Sequence, residues 1–304
     1  MISGTVLVIG ATGTQGGKVA RALVAGGFEV QALVRDPASP AAEALAKVDV
    51  RTITGELDDE AALAECCAGA SAMFVALPAA RGTSLEMERA RRLTRIAVEA
   101  GVRQAVYSTV SGTGWRDRGE NLYPDPDANY WNNKEAGETA FRSAGFDCVT
   151  ILKPTIIMED FLPPKSYTLF AELARGHIAM AIAPERKIGL IAADDLASAT
   201  LAALRDPDRF RGAEIEMAGD HLTMAEIAAA ISDVTGKEVT WETIRPDEVL
   251  PRGQSPALLH TYRLLDGVGY PARPHHAERY GIDLTSFRKW AVDNAAALKA
   301  LIQR

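Results

Sequence analysis

The sequence predicts an α/β fold: a Rossmann-type doubly wound parallel sheet with a smaller C-terminal α/β substrate lobe. Three observations carry this. Apolar, β-branched runs alternate with helical patterns through the first half of the chain, the signature of a parallel sheet with helices on both faces. The first of those runs ends in a glycine-spaced turn that opens a helix. Beyond residue 155 the alternation stops and the texture changes. We therefore expect a dinucleotide-binding domain over 1–155, with 187–218 returning to it. Residues 156–186 and 219–304 then form the smaller lobe.

The first run is Thr5-Val6-Leu7-Val8-Ile9, and the turn is Gly10-Ala11-Thr12-Gly13-Thr14-Gln15-Gly16. A helix follows over Lys18 to Val24 and stops at Gly26-Gly27. In such a turn Gly10 allows a tight reversal at the strand end. Gly13 removes a Cβ that would block a pyrophosphate, and Gly16 allows close helix packing. The unpaired N–H groups and positive end of the helix then face the phosphates, with Thr12, Thr14 and Gln15 on the same turn. The plainer reading is an ordinary strand-to-helix turn, but the strand before and helix after favour a dinucleotide.

The second strand, Phe28 to Val34, runs into Arg35-Asp36-Pro37. The position after this strand meets the adenosine ribose. An acidic residue there suits a free 2′-hydroxyl, and an Arg suits a 2′-phosphate. Arg35 stands first, so NADP(H) is the expected cofactor; the alternative is a solvated charge before a turn. A helix over Pro40 to Lys47 and a strand over Val48 to Ile53 follow. Asp58 is then placed as N-cap of a helix over Glu60 to Ala68. The fourth strand, Ala72 to Leu77, presents its carboxyl end, with Ala76, to the cofactor. The next helix, Leu85 to Gly101, carries Arg89, Arg91, Arg92 and Arg95 beside Glu86 and Glu88. That mixture reads as a solvated or subunit-facing surface.

The fifth strand, Gln104 to Thr109, leads through Val110-Ser111-Gly112 and a polar loop to a helix carrying Tyr130, Trp131 and Lys134. Tyr130 and Lys134 are four apart and share a helix face. A buried ammonium beside a phenol favours phenolate. Such a Tyr donates a proton to a carbonyl oxygen as hydride arrives, and Lys134 also reaches the nicotinamide ribose. The competing reading makes Tyr130 a pocket wall and Lys134 a cofactor anchor only. A third group, a hydroxyl at the end of the fifth strand, would hold the substrate oxygen; Ser111 is the choice, with Thr109 and Ser108 as rivals. A sixth strand, Cys148 to Leu152, ends at Lys153-Pro154.

The rest is less regular. Ile156 to Pro164 is apolar and loop-like, and a helix is expected over Ser166 to Arg175. Ile188 to Ile191, then Ala192-Ala193-Asp194-Asp195, starts another helix through Ala203, and Ala213 to Met217 reads as a strand. Thr223 and Glu226 form a capping box for another helix. Tyr280 to Trp290 begins the last one.

The G-x-x-G-x-x-G spacing is that of short-chain dehydrogenases/reductases. Val8-Ile9-Gly10-Ala11-Thr12-Gly13-Thr14-Gln15-Gly16-Gly17 resembles the NmrA-like branch in particular. Arg35-Asp36-Pro37, the Lys134 helix, Met158-Glu159-Asp160-Phe161, Asp194-Asp195 and Gly281-Ile282…Phe287…Trp290 extend that resemblance over nearly the whole chain. It implies a Rossmann domain, a smaller lobe and a cleft between them. It implies that Glu56-Leu57 lines the adenine, and it places Tyr130 and Lys134 on the helix that is catalytic in the superfamily. Met158, Phe161, Leu162 and Trp131 are then expected to line an apolar substrate pocket. The family includes reductases and NADP(H)-binding regulators without turnover. Many members lack the Tyr; this chain keeps it, which favours an enzyme. The leading expectation is an NADPH-dependent reductase of a carbonyl, enone, imine or quinone-like small molecule. The runner-up is a redox sensor acting through a protein partner, and a sugar-nucleotide epimerase comes third.

Composition narrows the partners. Net charge is −7, which argues against non-specific nucleic-acid binding. The three cysteines Cys66, Cys67 and Cys148 form no disulfide framework. No metal-ligand spacing stands out. No apolar run approaches a membrane span and no signal peptide precedes the first strand, so a cytoplasmic location is expected.

Overall fold

A computed structural model of the chain describes residues 4–115 and 128–303; most of the polar loop before Tyr130 lies outside them. The first half alternates as β1 (Thr5–Ile9), α1 (Thr14–Ala25), β2 (Glu29–Val34), α2 (Pro40–Ala46), β3 (Val50–Thr54), α3 (Glu60–Cys67), β4 (Ala70–Ala76), α4 (Leu85–Glu99), β5 (Gln104–Ser108), α5 (Ala128–Ser143) and β6 (Cys148–Pro154). With β10 (Glu214–Met217), from later in the chain, these strands form a seven-stranded parallel sheet in the order β10-β6-β5-β4-β1-β2-β3. The strand order reverses between β1 and β4. The carboxyl ends splay there, and ligands bind in the crevice that results.

Alternate residues of each strand feed opposite cores because side chains alternate across a sheet. Val6 and Val8 join the core with α1, whereas Leu7 and Ile9 join the core with α3 and α4. Both sets are fully buried, so the strands read as continuous apolar runs.

The remaining elements are β7 (Ile156–Ile157), α6 (Ser166–Leu169), β8 (His177–Met180), β9 (Ile188–Ile191), α7 (Ala193–Arg205), α8 (Pro207–Phe210), β10 (Glu214–Met217), β11 (Asp220–Leu222), α9 (Met224–Thr235), β12 (Thr240–Thr243), α10 (Ala257–Asp266), α11 (His275–Glu278), α12 (Phe287–Asp293) and α13 (Ala295–Leu301). Within 187–218, α7 packs beside α1 and β10 completes the large sheet. β9 instead pairs with β7 and β11 in a three-stranded sheet. β8 and β12 form a two-stranded parallel pair.

Two local expectations give way. The helix over 166–175 breaks at Phe170, whose backbone leaves the helical region (φ −130°, ψ 56°). Its ring is thereby buried and stacked on Phe161, with centroids 4.0 Å apart. Asp59, not Asp58, caps α3, accepting from the N–H groups of Ala61 and Ala62. Asp58 is occupied by Arg89 and Arg92, so much of the α4 arginine face is an ion-pair lattice rather than free charge.

Met158 and Phe161 do not line the pocket expected of them. Both are fully buried in the C-terminal core, where Phe161 packs against Phe170, Phe287 and Trp290. Glu159 between them accepts from the Trp290 indole at 3.3 Å and from Ala193 N–H at 3.0 Å. Asp195 likewise accepts from the backbone and hydroxyl of Thr285. These positions join α7, the segment after β7 and the C-terminal helices. They act in assembly of the lobe, with burial holding the Glu159 and Asp195 carboxyls above the usual range.

Candidate active site

The site begins at the β1–α1 turn. Gly10 adopts φ +84°, and a Cβ there would lie 2.6 Å from the Ala76 carbonyl oxygen. A Cβ on Gly16 would lie 2.3 Å from the Gly10 carbonyl oxygen. Gly16 is therefore required so that α1 can close on the turn itself. Gly13 precedes α1 as its cap and supplies no side chain. The first-turn N–H groups of α1 consequently point out of the helix end, with no acidic residue in that turn.

These groups face a cavity of about 500 Å³. Its walls include Gly10, Thr12, Gly13, Thr14, Gln15, Gly16, Arg35, Leu57 and Ala76, nine of the ten positions expected to hold a cofactor. Glu56, the other member of the pair expected at the adenine, lines it too; Leu33, Pro78, Arg89 and Lys165 line it as well and had no local signal strong enough to mark them. Asp36 does not face it. Its carboxylate accepts from Ala38 N–H at 2.9 Å and shapes the turn after β2. Arg35 is thus the charge offered at the ribose end.

The tenth position, Lys134, lies in a second cavity of about 430 Å³. Gln15, Leu77 and Lys165 line both cavities, so the two spaces meet. The second is walled mainly by apolar and aromatic groups, including Val110, Ile156, Phe170, Leu258, Tyr262 and Tyr270. Its polar groups include Thr109, Tyr130, Lys134 and Asp160. Trp131 is set back, edge-on to Tyr130 with centroids 5.4 Å apart, and lines a small side pocket.

Tyr130 and Lys134 do share the chamber, but the ammonium has another partner. Lys134 Nζ lies 2.6 Å from Glu86 Oε1, with Glu86 fully buried, and 5.6 Å from the Tyr130 ring centroid. The Glu86 carboxylate offsets much of the field that would stabilise a phenolate. Next to Lys134, Asn133 donates to the carbonyls of Ala80 and Thr83 at 2.9 and 2.7 Å. The β4–α4 connection is thus tied to the start of α5.

The hydroxyls at the end of β5 take different places. Ser108 donates to Gln15 Oε1 at 2.7 Å, which leaves the Gln15 amide N–H groups for the junction of the cavities. Thr109 lines the chamber, and its buried hydroxyl makes no hydrogen bond among the described residues. Ser111 is fully buried and lines neither cavity; its N–H is held by the Pro154 carbonyl at 2.8 Å. Thr109, not Ser111, is therefore the strand-end residue that lines the chamber with Tyr130 and Lys134.

The sequence profile of the NmrA-like family matches residues 3–300. This chain belongs to the NmrA-like family. An NAD(P)H azoreductase of Xenophilus azovorans is 28% identical over 243 residues, covering 79% of this chain and 77% of the relative. The solved structure of NmrA, a negative transcriptional regulator, in complex with NADP superposes with a TM-score of 0.78 at 19% identity, covering 99% of this chain and 98% of that one. Citrobacter sp. triphenylmethane reductase complexed with NADP(H) gives 0.76 at 19% identity, covering 95% and 99%. These likenesses establish a shared fold between a regulator, a reductase and this NmrA-like chain. No helix among the described residues is long and apolar enough to cross a membrane.

Proposed function

We propose that this NmrA-like protein is an NADPH-dependent reductase of a small, largely apolar carbonyl, enone, imine or quinone-like molecule. The observation that carries the reading is the junction of the two cavities. A phosphate-suited turn and Arg35 line one, Tyr130, Thr109 and Lys134 line the other, and Gln15 and Leu77 belong to both. The glycine turn fits a diphosphate: the α1 end bears no side chain at Gly13, and a Cβ at Gly10 or Gly16 would collide with backbone and force the turn out of shape. Arg35 fits a 2′-phosphate through a forked, charge-assisted contact. The azoreductase and triphenylmethane reductase in the comparisons support reduction as the reaction class.

The bound NADPH supplies the hydride. The chain's own residues do the rest. Leu77, Val110, Ile156 and Leu258 exclude water from the acceptor. The Tyr130 phenol donates the proton to the substrate heteroatom. Lys134, anchored by Glu86, holds the nicotinamide ribose and keeps the Tyr130 ring in place. Following NADPH oxidation against a panel of aldehydes, enones, imines, azo compounds and quinones tests this. Turnover of at least one apolar class is expected, and absence of turnover across the panel would remove the reductase reading.

One observation favours a second reading. With Glu86 neutralising Lys134, the phenol lacks the unopposed ammonium that activates it. A cofactor-binding sensor needs no such activation. It would bind NADPH and turn over nothing in the panel.

A further inference from the structure

Cations that line the larger cavity are Arg35, Arg89 and Lys165. Arg35 stands at the ribose end, and Arg89 forks onto Asp58 with Nε 3.2 Å from both carboxylate oxygens. Lys18, on the first turns of α1, is engaged by Asp194 at 2.8 Å. So at the larger cavity the first lobe brings backbone N–H groups to a diphosphate, while its Arg81 and Lys134 line the second cavity. Lys165 is placed differently. It comes from the second lobe, just after Pro163-Pro164, and reaches both cavities beside Gln15 and Leu77. Gln15 belongs to the phosphate turn, so Lys165 and that turn line the same space.

Asp160 explains how a flexible ammonium is kept there. Its carboxylate lies 2.8 Å from Lys165 Nζ, with Asp160 largely buried and the Lys165 side chain 46% exposed. A pair this exposed adds little to folding stability. Its placement at the joint between two binding spaces is better matched to a ligand.

We propose that Lys165 is a cofactor-binding residue supplied by the second lobe. Its ammonium engages the diphosphate and nicotinamide-ribose half of the dinucleotide, and Asp160 positions it. This rests on the larger cavity being the NADPH site. A contact to that half is blind to the 2′-phosphate, which gives it a distinct fingerprint.

Calorimetric titration of the wild-type protein, Lys165→Met and Lys165→Arg with NADPH, NADH and adenosine 2′,5′-bisphosphate tests the assignment. Lys165→Met is expected to weaken NADPH and NADH by the same factor, about tenfold, as loss of a charge-assisted contact should. The bisphosphate, which lacks that half, should bind as before. Lys165→Arg should stay within about threefold of wild type, because the charge is kept. Melting without ligand should be unchanged in both variants. Unchanged dinucleotide binding in Lys165→Met, or an equal loss for the bisphosphate, would overturn the proposal alone. Failure of the wild-type protein to bind either dinucleotide would overturn it together with the cofactor reading.

Discussion

At Arg35 and Asp36 two opposite charges follow the same strand, and only one faces the cavity. The Asp36 carboxylate accepts from Ala38 N–H and is turned to the loop rather than to the cavity, which leaves Arg35 nearer a 2′-phosphate. We expect Arg35→Ala to lower NADPH affinity by about tenfold and leave NADH nearly unchanged, as read by titration calorimetry. Equal affinities for the two in the unmodified protein would contradict the assignment. At Tyr130 the test is Tyr130→Phe, which keeps the ring and its contacts. Turnover should fall by roughly 10²–10⁴-fold while NADPH affinity holds, because general acid catalysis is worth about that much. Lys134 needs more care. Lys134→Met strands a fully buried Glu86 and should cost roughly 3–5 kcal/mol of stability. Adding Glu86→Gln should restore much of the melting temperature without restoring turnover. Restored turnover in that double variant would show that Lys134 does not serve the reaction.

Among elements, the β1–α1 turn is the least tolerant. Gly16→Ala places a Cβ 2.3 Å from the Gly10 carbonyl oxygen, where only backbone can move. The turn must open, so NADPH affinity should fall by at least roughly tenfold with helix content by circular dichroism retained. Unchanged affinity would mean that the turn does not hold the phosphates. The inner strands β1, β2, β4, β5 and β6 were legible because they are buried on both faces and read as apolar runs, whereas the edge strands β3 and β10 are buried only in part. The strands β11 and β12 gave no such signal, since they are short and partly or mostly exposed. The break at Phe170 was also illegible: the local pattern is helical, and a distant ring, Phe161, overrides it.

At the scale of the whole molecule, segments of the second half return to the first. α7 lies beside α1, β10 ends the large sheet, and Ala277 and Ile282 pack into the same core as β1. This interleaving predicts one cooperative unfolding transition rather than two. NADPH at about a hundred times its Kd should stabilise that single transition by about 2.7 kcal/mol. Differential scanning calorimetry checks it. Two transitions, with only one moved by NADPH, would mean that the lobes fold independently.

The amino-acid sequence alone determined the features that depend on neighbours along the chain. These are the strand-and-helix alternation, the glycine turn that no Cβ-bearing residue could replace, the position of Arg35, and the four-residue spacing of Tyr130 and Lys134 on one helix face. Tertiary structure alone decided which groups complete them. Glu86 meets Lys134 across 48 positions of sequence, Thr109 rather than Ser111 faces the chamber, and Lys165 arrives from the other lobe. It also moved Met158 and Phe161 from the expected pocket wall into the core. The reason is physical. Backbone conformation and periodic burial are set within a few residues, whereas contacts across a cavity depend on how whole elements pack, which no local spacing records.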